Sequence, residues 1–217
     1  METVAEAEDY DSMDHSAVNH QFVDDFIACA AEHFECRSGN GSFIVDLGTG
    51  TAQIPILFSR RLKHRPAVIA CDRSEEMLRV ARWNVARAGC GATVIPALCD
   101  ARQLPLGDHS CNRVISNSLI HHILHPPEVF REVRRIAAPE ALVFFRDLLR
   151  PGSAEEVESL VQKWAGDATQ HQQKMFRDSL HAALTMDELC DILSSVALDT
   201  CRVRQTSDRH WTVAGRL

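Results

Sequence analysis

The chain has 217 residues, 45% of them hydrophobic and 24% charged, with a net charge of −7 and a pI near 5.9. That length suits one large domain with a substantial core. The acidic balance argues against nonspecific binding to nucleic acid or anionic membrane, since both need a basic surface. No apolar run approaches the roughly 20 residues of a spanning helix. Residues 1–10 are acidic and lack the basic-then-apolar pattern of a signal peptide, so a cytoplasmic protein is expected. Eight cysteines are scattered without a C-x-x-C pair and read as buried free thiols of a reducing compartment.

In chain order, residues 1–14 read as a mobile acidic tail able to order over a ligand. Ser16 is expected to cap a helix running to Glu35, with Val18, Phe22, Phe26 and Ala30 as its apolar stripe. The segment from Arg37 to Gly41 ends it. Phe43, Ile44, Val45 and Leu47 then predict a strand buried on both faces. Gly48 and Gly50 open a turn whose backbone angles and close approaches a side chain would forbid. A helix follows, closed by Arg60, Arg61, Lys63, His64 and Arg65, cations that complement a helix C-terminus. Strands are predicted at 67–71, 92–98, 113–116 and 141–145. Between them lie a helix capped by Ser74 and stopped by Gly89, and one started by Pro126 and Pro127. The β-α-β-α order predicts a doubly wound, mostly parallel α/β sheet with right-handed crossovers. The last third predicts helices at 155–164 and 171–183, a third behind the capping box of Thr185 and Glu188, and two edge strands at 200–205 and 210–213.

Asp46, Asp72 and Asp100 each stand at the end of a predicted strand, so the parallel sheet should bring them to one crevice. Each alone reads as a turn residue or cap. Three in phase with a Gly-x-Gly turn point to a ligand site.

The segments Val45-Asp-Leu-Gly-Thr-Gly-Thr51, Ala70-Cys-Asp72, Leu98-Cys-Asp-Ala101 and Val114-Ile-Ser-Asn117 resemble the ordered motifs of class I S-adenosylmethionine-dependent methyltransferases. The resemblance covers residues 42–147. It implies a Rossmann-like sheet of seven strands in the order 3-2-1-4-5-7-6, the seventh antiparallel. It implies S-adenosylmethionine as cofactor: Asp46, Gly48, Thr49, Gly50 and Thr51 around its methionine part, Asp72 on the ribose hydroxyls, Asp100 and Ala101 near the adenine, with Arg73 and Met77 beside them. Asn117 and Ser118 should lie near the sulfonium. One domain is expected over 1–217: tail and helical cap to 40, cofactor-binding core 41–150, helical insert 151–184, and closing helix and strand pair 185–217. The family pattern is broken at Ala52, the third glycine of the turn, at Asn112, and at Pro139-Glu-Ala141 in place of Pro-Gly-Gly. A nicotinamide dinucleotide is the competing cofactor, but its fingerprint needs glycine where Gln53 stands, and Asp46 would repel a pyrophosphate.

For the acceptor, a small molecule is expected, with no nucleic acid or membrane partner and a monomer or homodimer. Asn117, His121, Asp147 and Tyr10 are the candidates for acceptor chemistry, though packing or hydrogen bonding is the plainer role for the histidine and anchoring the tail for the tyrosine. Arg146 and Arg150 flank Asp147 and suit an acidic substrate, while Arg209 and His210 open the last strand. The His121, His122 and His125 cluster lacks a cysteine or paired acid, so no metal is expected. A donor-binding but inactive partner subunit is the alternative from another functional class.

Overall fold

The computed structural model describes residues 3–33, 43–62 and 66–217. Its strands are Phe43–Leu47 (β1), Ala67–Asp72 (β2), Val94–Leu98 (β3), Cys111–Asn117 (β4), Ala137–Leu148 (β5), Arg202–Gln205 (β6) and His210–Arg216 (β7). They form one sheet in the order β3-β2-β1-β4-β5-β7-β6. Pairing is parallel from β3 through β5, whereas β7 runs antiparallel to β5 and to β6. The expected topology is therefore present. β5 is longer than its apolar run predicts because it begins before Pro139-Glu-Ala141. There Glu140 takes the left-handed conformation, φ +67°, that the family's glycine would adopt freely. Its backbone N–H donates to Leu217 O at 2.6 Å.

The helices are Val4–Ser12 (α1), Ser16–His33 (α2), Gln53–Arg61 (α3), Glu75–Arg87 (α4), Pro126–Ile136 (α5), Ala154–Ala165 (α6), Gln170–Ala182 (α7) and Met186–Ser195 (α8). One sheet face is covered by α2 and α3, where Phe22, Phe26 and Phe58 pack on Ile44, Ile115 and Phe144. Phe26 meets Phe58 and Phe144 edge-to-face, with centroids 5.0 and 5.8 Å apart. The other face buries Val45, Val114, Phe145 and Trp211 against Val133 of α5 and Leu193 of α8. Above the crevice end, α6 and α7 form a hairpin whose Val157, Val161 and Leu180 pack on Leu148.

Two expectations at the N-terminus change. Residues Val4–Ser12 form a helix, not a mobile tail: Thr3 and Glu6 make a capping box, and Ala7 and Tyr10 pack on Met77 and Val80 of α4. Ser16 is the first helical residue of α2 rather than its cap; its N–H is taken by Asp14 Oδ1 at 2.9 Å. Lys63, His64 and Arg65, the segment 37–41, Glu35 and Cys36 lie outside the described residues. Seven described cysteines are free thiols, and Cys71, Cys90, Cys111 and Cys201 are buried. No helix among the described residues is long and apolar enough to cross a membrane.

Phe26 is 2% exposed at the junction of α2, α3 and β5. Phe26→Ala should cost about 3–5 kcal/mol, read as a lowered midpoint in urea unfolding; a change under ~1 kcal/mol would mean that α2 contributes little to the fold.

Candidate active site

The turn after β1 is a run of left-handed residues: Gly48 at φ +70°, Gly50 at +56° and Ala52 at +63°. A Cβ on Gly48 would stand 2.8 Å from Leu119 Cδ1, so a side chain there would have to displace Leu119 as well as take a strained angle. Ala52 carries a side chain in a conformation that costs a non-glycine residue about 1–2 kcal/mol. Its small size alone therefore understates the cost of replacing the third glycine. Thr49 N–H donates to Cys71 O, and Gly50 N–H to Asp72 Oδ2 at 2.8 Å. Asp72 Oδ1 accepts from Ser74 N–H at 2.9 Å. One carboxylate thus ties the glycine turn to the start of α4, with lone pairs left for a ligand's hydroxyls.

Behind this turn lies a cavity with about 350 Å³ of empty space, its open mouth included. It is lined by Asp46, Gly48, Thr49 and Thr51 of the β1 end and turn, by Asn117 of β4, and by Tyr10 of α1, Asn19 of α2 and Gln53 and Ile54 of α3. Asp46 is 2% exposed, no cation among the described residues acts on it, and its carboxyl is pushed up to about 7. Burial is the main cause; the charge of Asp72 adds to it and Thr49 opposes it. Two buried polar atoms around the cavity, Thr51 Oγ1 and Asn117 Oδ1, have no hydrogen-bond partner among the described residues. Orphaned acceptors and a cation-less carboxylate are costly unless a ligand answers them. They fit a ligand that brings an ammonium and other hydrogen-bond donors.

Tyr10 packs over the turn, its Cε1 3.7 Å from where a Gly50 Cβ would stand, and its ring lies 4.7 Å from that of His15. Burial, then Asp72, Asp11 and Asp46, raise its pKa, so the hydroxyl keeps its proton. Asp11 accepts from Asn84 Nδ2 at 2.9 Å and Gln53 Nε2 at 3.2 Å, holding α1 down. Gln53, where a dinucleotide fingerprint has glycine, also accepts from Asn19 Nδ2 at 2.9 Å.

The remaining residues of the expected donor set do not line this cavity. Asp100 is gripped by Arg102, whose Nη2 stands 2.6 Å from Oδ2, and this hydrogen bond lowers its pKa. Ala101 is packed in the core, Arg73 is exposed, and Met77 lies under α1. Ser118, at φ +60°, donates its N–H to Arg146 O. Asn19 and Ile54 were missed; a buried polar residue three before Phe22 on an otherwise apolar face was the available signal for Asn19.

Just past Asn117, a short 3₁₀ turn at Ile120–His122 follows β4. His121 Nδ1 lies 2.5 Å from Asp147 Oδ1, with the side chains 6% and 1% exposed. Asp147 also accepts from the Ile120 N–H, and from its neighbour Leu148 N–H at 2.6 Å. The end of β5 therefore fixes both the histidine and the turn that carries it. The two arginines expected to receive an acidic substrate are engaged elsewhere. Arg146 is buried, bonded to Asp25 at 2.6 Å and Thr212 at 3.1 Å, and so fastens α2 to β5. Arg150 holds Glu188 at 3.0 Å and Ala183 O at 2.8 Å. Among the described residues, no three His, Cys, Asp or Glu side chains cluster in a way that could hold a metal ion.

A family model described as a methyltransferase domain matches residues 44–140. A malonyl-[acyl-carrier protein] O-methyltransferase of Marinomonas sp. is 36% identical over 154 residues, 70% of this chain and 54% of the relative. A ubiquinone/menaquinone biosynthesis C-methyltransferase, UbiE, of Bordetella avium is 26% identical over 168 residues, 73% of this chain and 64% of the relative. The chain thus spans between half and two-thirds of the length of these two curated relatives. Among solved structures, a SAM-dependent methyltransferase from Aquifex aeolicus superposes with a TM-score of 0.68 at 17% identity, over 100% of this chain and 99% of that one. The plantazolicin methyltransferase BpumL, solved with a substrate analogue and SAH, superposes with a TM-score of 0.73 at 14% identity, over 96% and 89%. Sheet order, glycine turn and strand-end acids agree with these matches: residues 44–140 match a methyltransferase domain, and the fold is that of the solved S-adenosylmethionine-dependent methyltransferases.

Proposed function

We propose that this chain transfers a methyl group from S-adenosylmethionine to a small-molecule acceptor, with His121 as the base that takes the acceptor's proton. The observation that carries the acceptor half is the His121–Asp147 pair, four residues beyond cavity-lining Asn117. The donor half rests on Asp46 and on Thr51 Oγ1 and Asn117 Oδ1, buried beside the glycine turn without partners among the described residues.

Asp46 offers a carboxylate to the donor's ammonium, and the Gly48–Ala52 turn lets the backbone come close to it. Asp72, already fixed by Gly50 and Ser74, has lone pairs for the ribose hydroxyls. Asn117 Oδ1 faces the cavity as an acceptor. The bound cofactor supplies a methyl group on a sulfonium, activated without further help from the protein. What the protein adds is alignment and exclusion of water. Asp147 accepts from His121 Nδ1, which fixes the tautomer and leaves the Nε2 lone pair free for a proton. Tyr10, kept neutral by burial and then by its carboxylate neighbours, acts as a wall and hydrogen-bond donor rather than as a base.

A small acceptor suits the roof that α6 and α7 form over the β5 end and suits the net charge of −7. The names of the two relatives put the methyl on oxygen in one case and carbon in the other. A base of histidine type serves an oxygen acceptor or an acidified carbon.

Two outcomes test this reading. His121→Ala should lower S-adenosylhomocysteine production at least ~100-fold in a screen of carboxylic acids, phenols, thiols and amines, while S-adenosylhomocysteine affinity by calorimetry stays within threefold. Unchanged turnover would remove the histidine from the mechanism. Asp46 makes donor affinity pH-dependent: a cation binds the ionised carboxylate, and a group titrating at about 7 is mostly protonated at pH 6. Affinity for S-adenosylhomocysteine should rise roughly tenfold from pH 6 to pH 8, and Asp46→Asn should bind weakly and with a flat profile. The carboxyl's own effect on the ligand-free fold has the opposite sign. Its raised pKa contributes stability that is complete below the unfolded value near 4 and is lost as pH rises through 7.

A further inference from the structure

The sequence expectation gave an acidic substrate to Arg146 and Arg150, and both are taken by partners inside the protein. A third guanidinium at the same end is not. Arg209 lies just before β7, and its backbone carbonyl accepts from Leu149 N–H at 2.9 Å, one residue past the end of β5. Its guanidinium carbon stands 3.9 Å from the centre of the Trp164 ring and 5.7 Å from that of Phe176. These aromatic faces come from α6 and α7, and α7 also packs against the 3₁₀ turn that carries His121. The neighbouring Asp208 is already engaged: its Oδ2 accepts from Lys163 Nζ at 2.8 Å and from Trp164 Nε1 at 3.1 Å. Among the described residues no hydrogen bond or ion pair engages the Arg209 guanidinium.

We infer that Arg209 is the specificity-determining residue of the acceptor crevice, where its guanidinium fork, held by Trp164 and Phe176, receives a carboxylate or phosphate group of the acceptor. Five N–H donors in a rigid plane match either oxyanion with two parallel bonds. Stacking fixes that plane before the ligand arrives, so less conformational freedom is lost on binding. Burial disfavours the charge on Arg209, with only Asp208 to offset it; an anion in contact would relieve that cost. His210, whose Nδ1 lies 2.8 Å from Ser207 Oγ, borders the same position and pairs with Leu148 in the sheet register. The role as an acceptor subsite rests on the proposed transferase reading, whereas anion binding at Arg209 stands on its own geometry.

The test titrates benzoate, phenyl phosphate and the uncharged benzamide into the full chain by calorimetry, with and without S-adenosylhomocysteine. The wild type should bind at least one of the two anions saturably and benzamide at least tenfold more weakly; which anion binds more tightly distinguishes a carboxylate from a phosphate acceptor. Arg209→Gln should weaken the anion at least tenfold. Arg209→Lys, which keeps the charge and loses the fork, should weaken it severalfold and serves as the decisive variant if the glutamine form does not fold. S-adenosylhomocysteine affinity should stay unchanged in both. Absence of saturable anion binding in the wild type, equal binding of benzamide, or equal anion binding in Arg209→Lys would each overturn the inference. Anion binding by a wild type that takes up no S-adenosylhomocysteine would leave Arg209 as an anion site and sink the transferase reading instead.

Discussion

The in-register parallel pairing of β1 with β2 and with β4 is the constraint on which the rest of the molecule depends. It sets Asp46 beside Ala70 and Ile115, and Leu47 beside Cys71 and Ser116, so that three chain reversals occur at one edge. Ser116 Oγ donates to Leu47 O at 2.9 Å and closes the seam between two of them. Once the strands end together, short local bonds complete the site. Asp72 reaches back to Gly50, Thr49 reaches across to Cys71, and Ser118 reaches over to Arg146. A slip of one residue in β1 would turn Asp46 to the opposite face and put an apolar neighbour at the cavity floor.

The antiparallel return of β7 has a separate effect. A sheet closed only by parallel crossovers would bring strand carboxyl ends alone to the crevice. Because β7 runs the other way, its first residues arrive there too, and Arg209 and His210 stand at the level of Leu149 and Leu148. That end of the sheet is therefore built from sequence positions about 60 residues apart, and the helical hairpin between them covers it.

What the sequence disclosed follows from the range of the interactions involved. The strand runs, the glycine turn and the three strand-end acids are local signals, and the sheet order came from their resemblance to a known arrangement. The capping box at Thr185 is likewise written within four residues. Pairings across the chain are not legible in this way. Asp147 is 26 residues from His121 and Asp25 is 121 from Arg146, and nothing in the composition of either segment announces the partner. The same distance misled the assignment of Arg146 and Arg150 to a substrate, since a sequence does not reveal that Asp25 and Glu188 answer them first. α1 was hidden differently. Its apolar face is little more than Ala7 and Tyr10, too weak a periodicity to distinguish a docked helix from an acidic tail.

That docked helix has a consequence for how tightly any ligand holds. α1 rests on α4 through a few side chains, and Asp11 clasps it to Asn84 and Gln53 while Tyr10 stands in the cavity wall. A guest that must lift this latch on entry forfeits part of its intrinsic affinity to the fraction of molecules already open. The same latch, reclosed, slows the guest's escape. The acidic helix α1 would therefore bear on both how strongly and how long a guest is held, alongside the carboxylate of Asp46 beneath it.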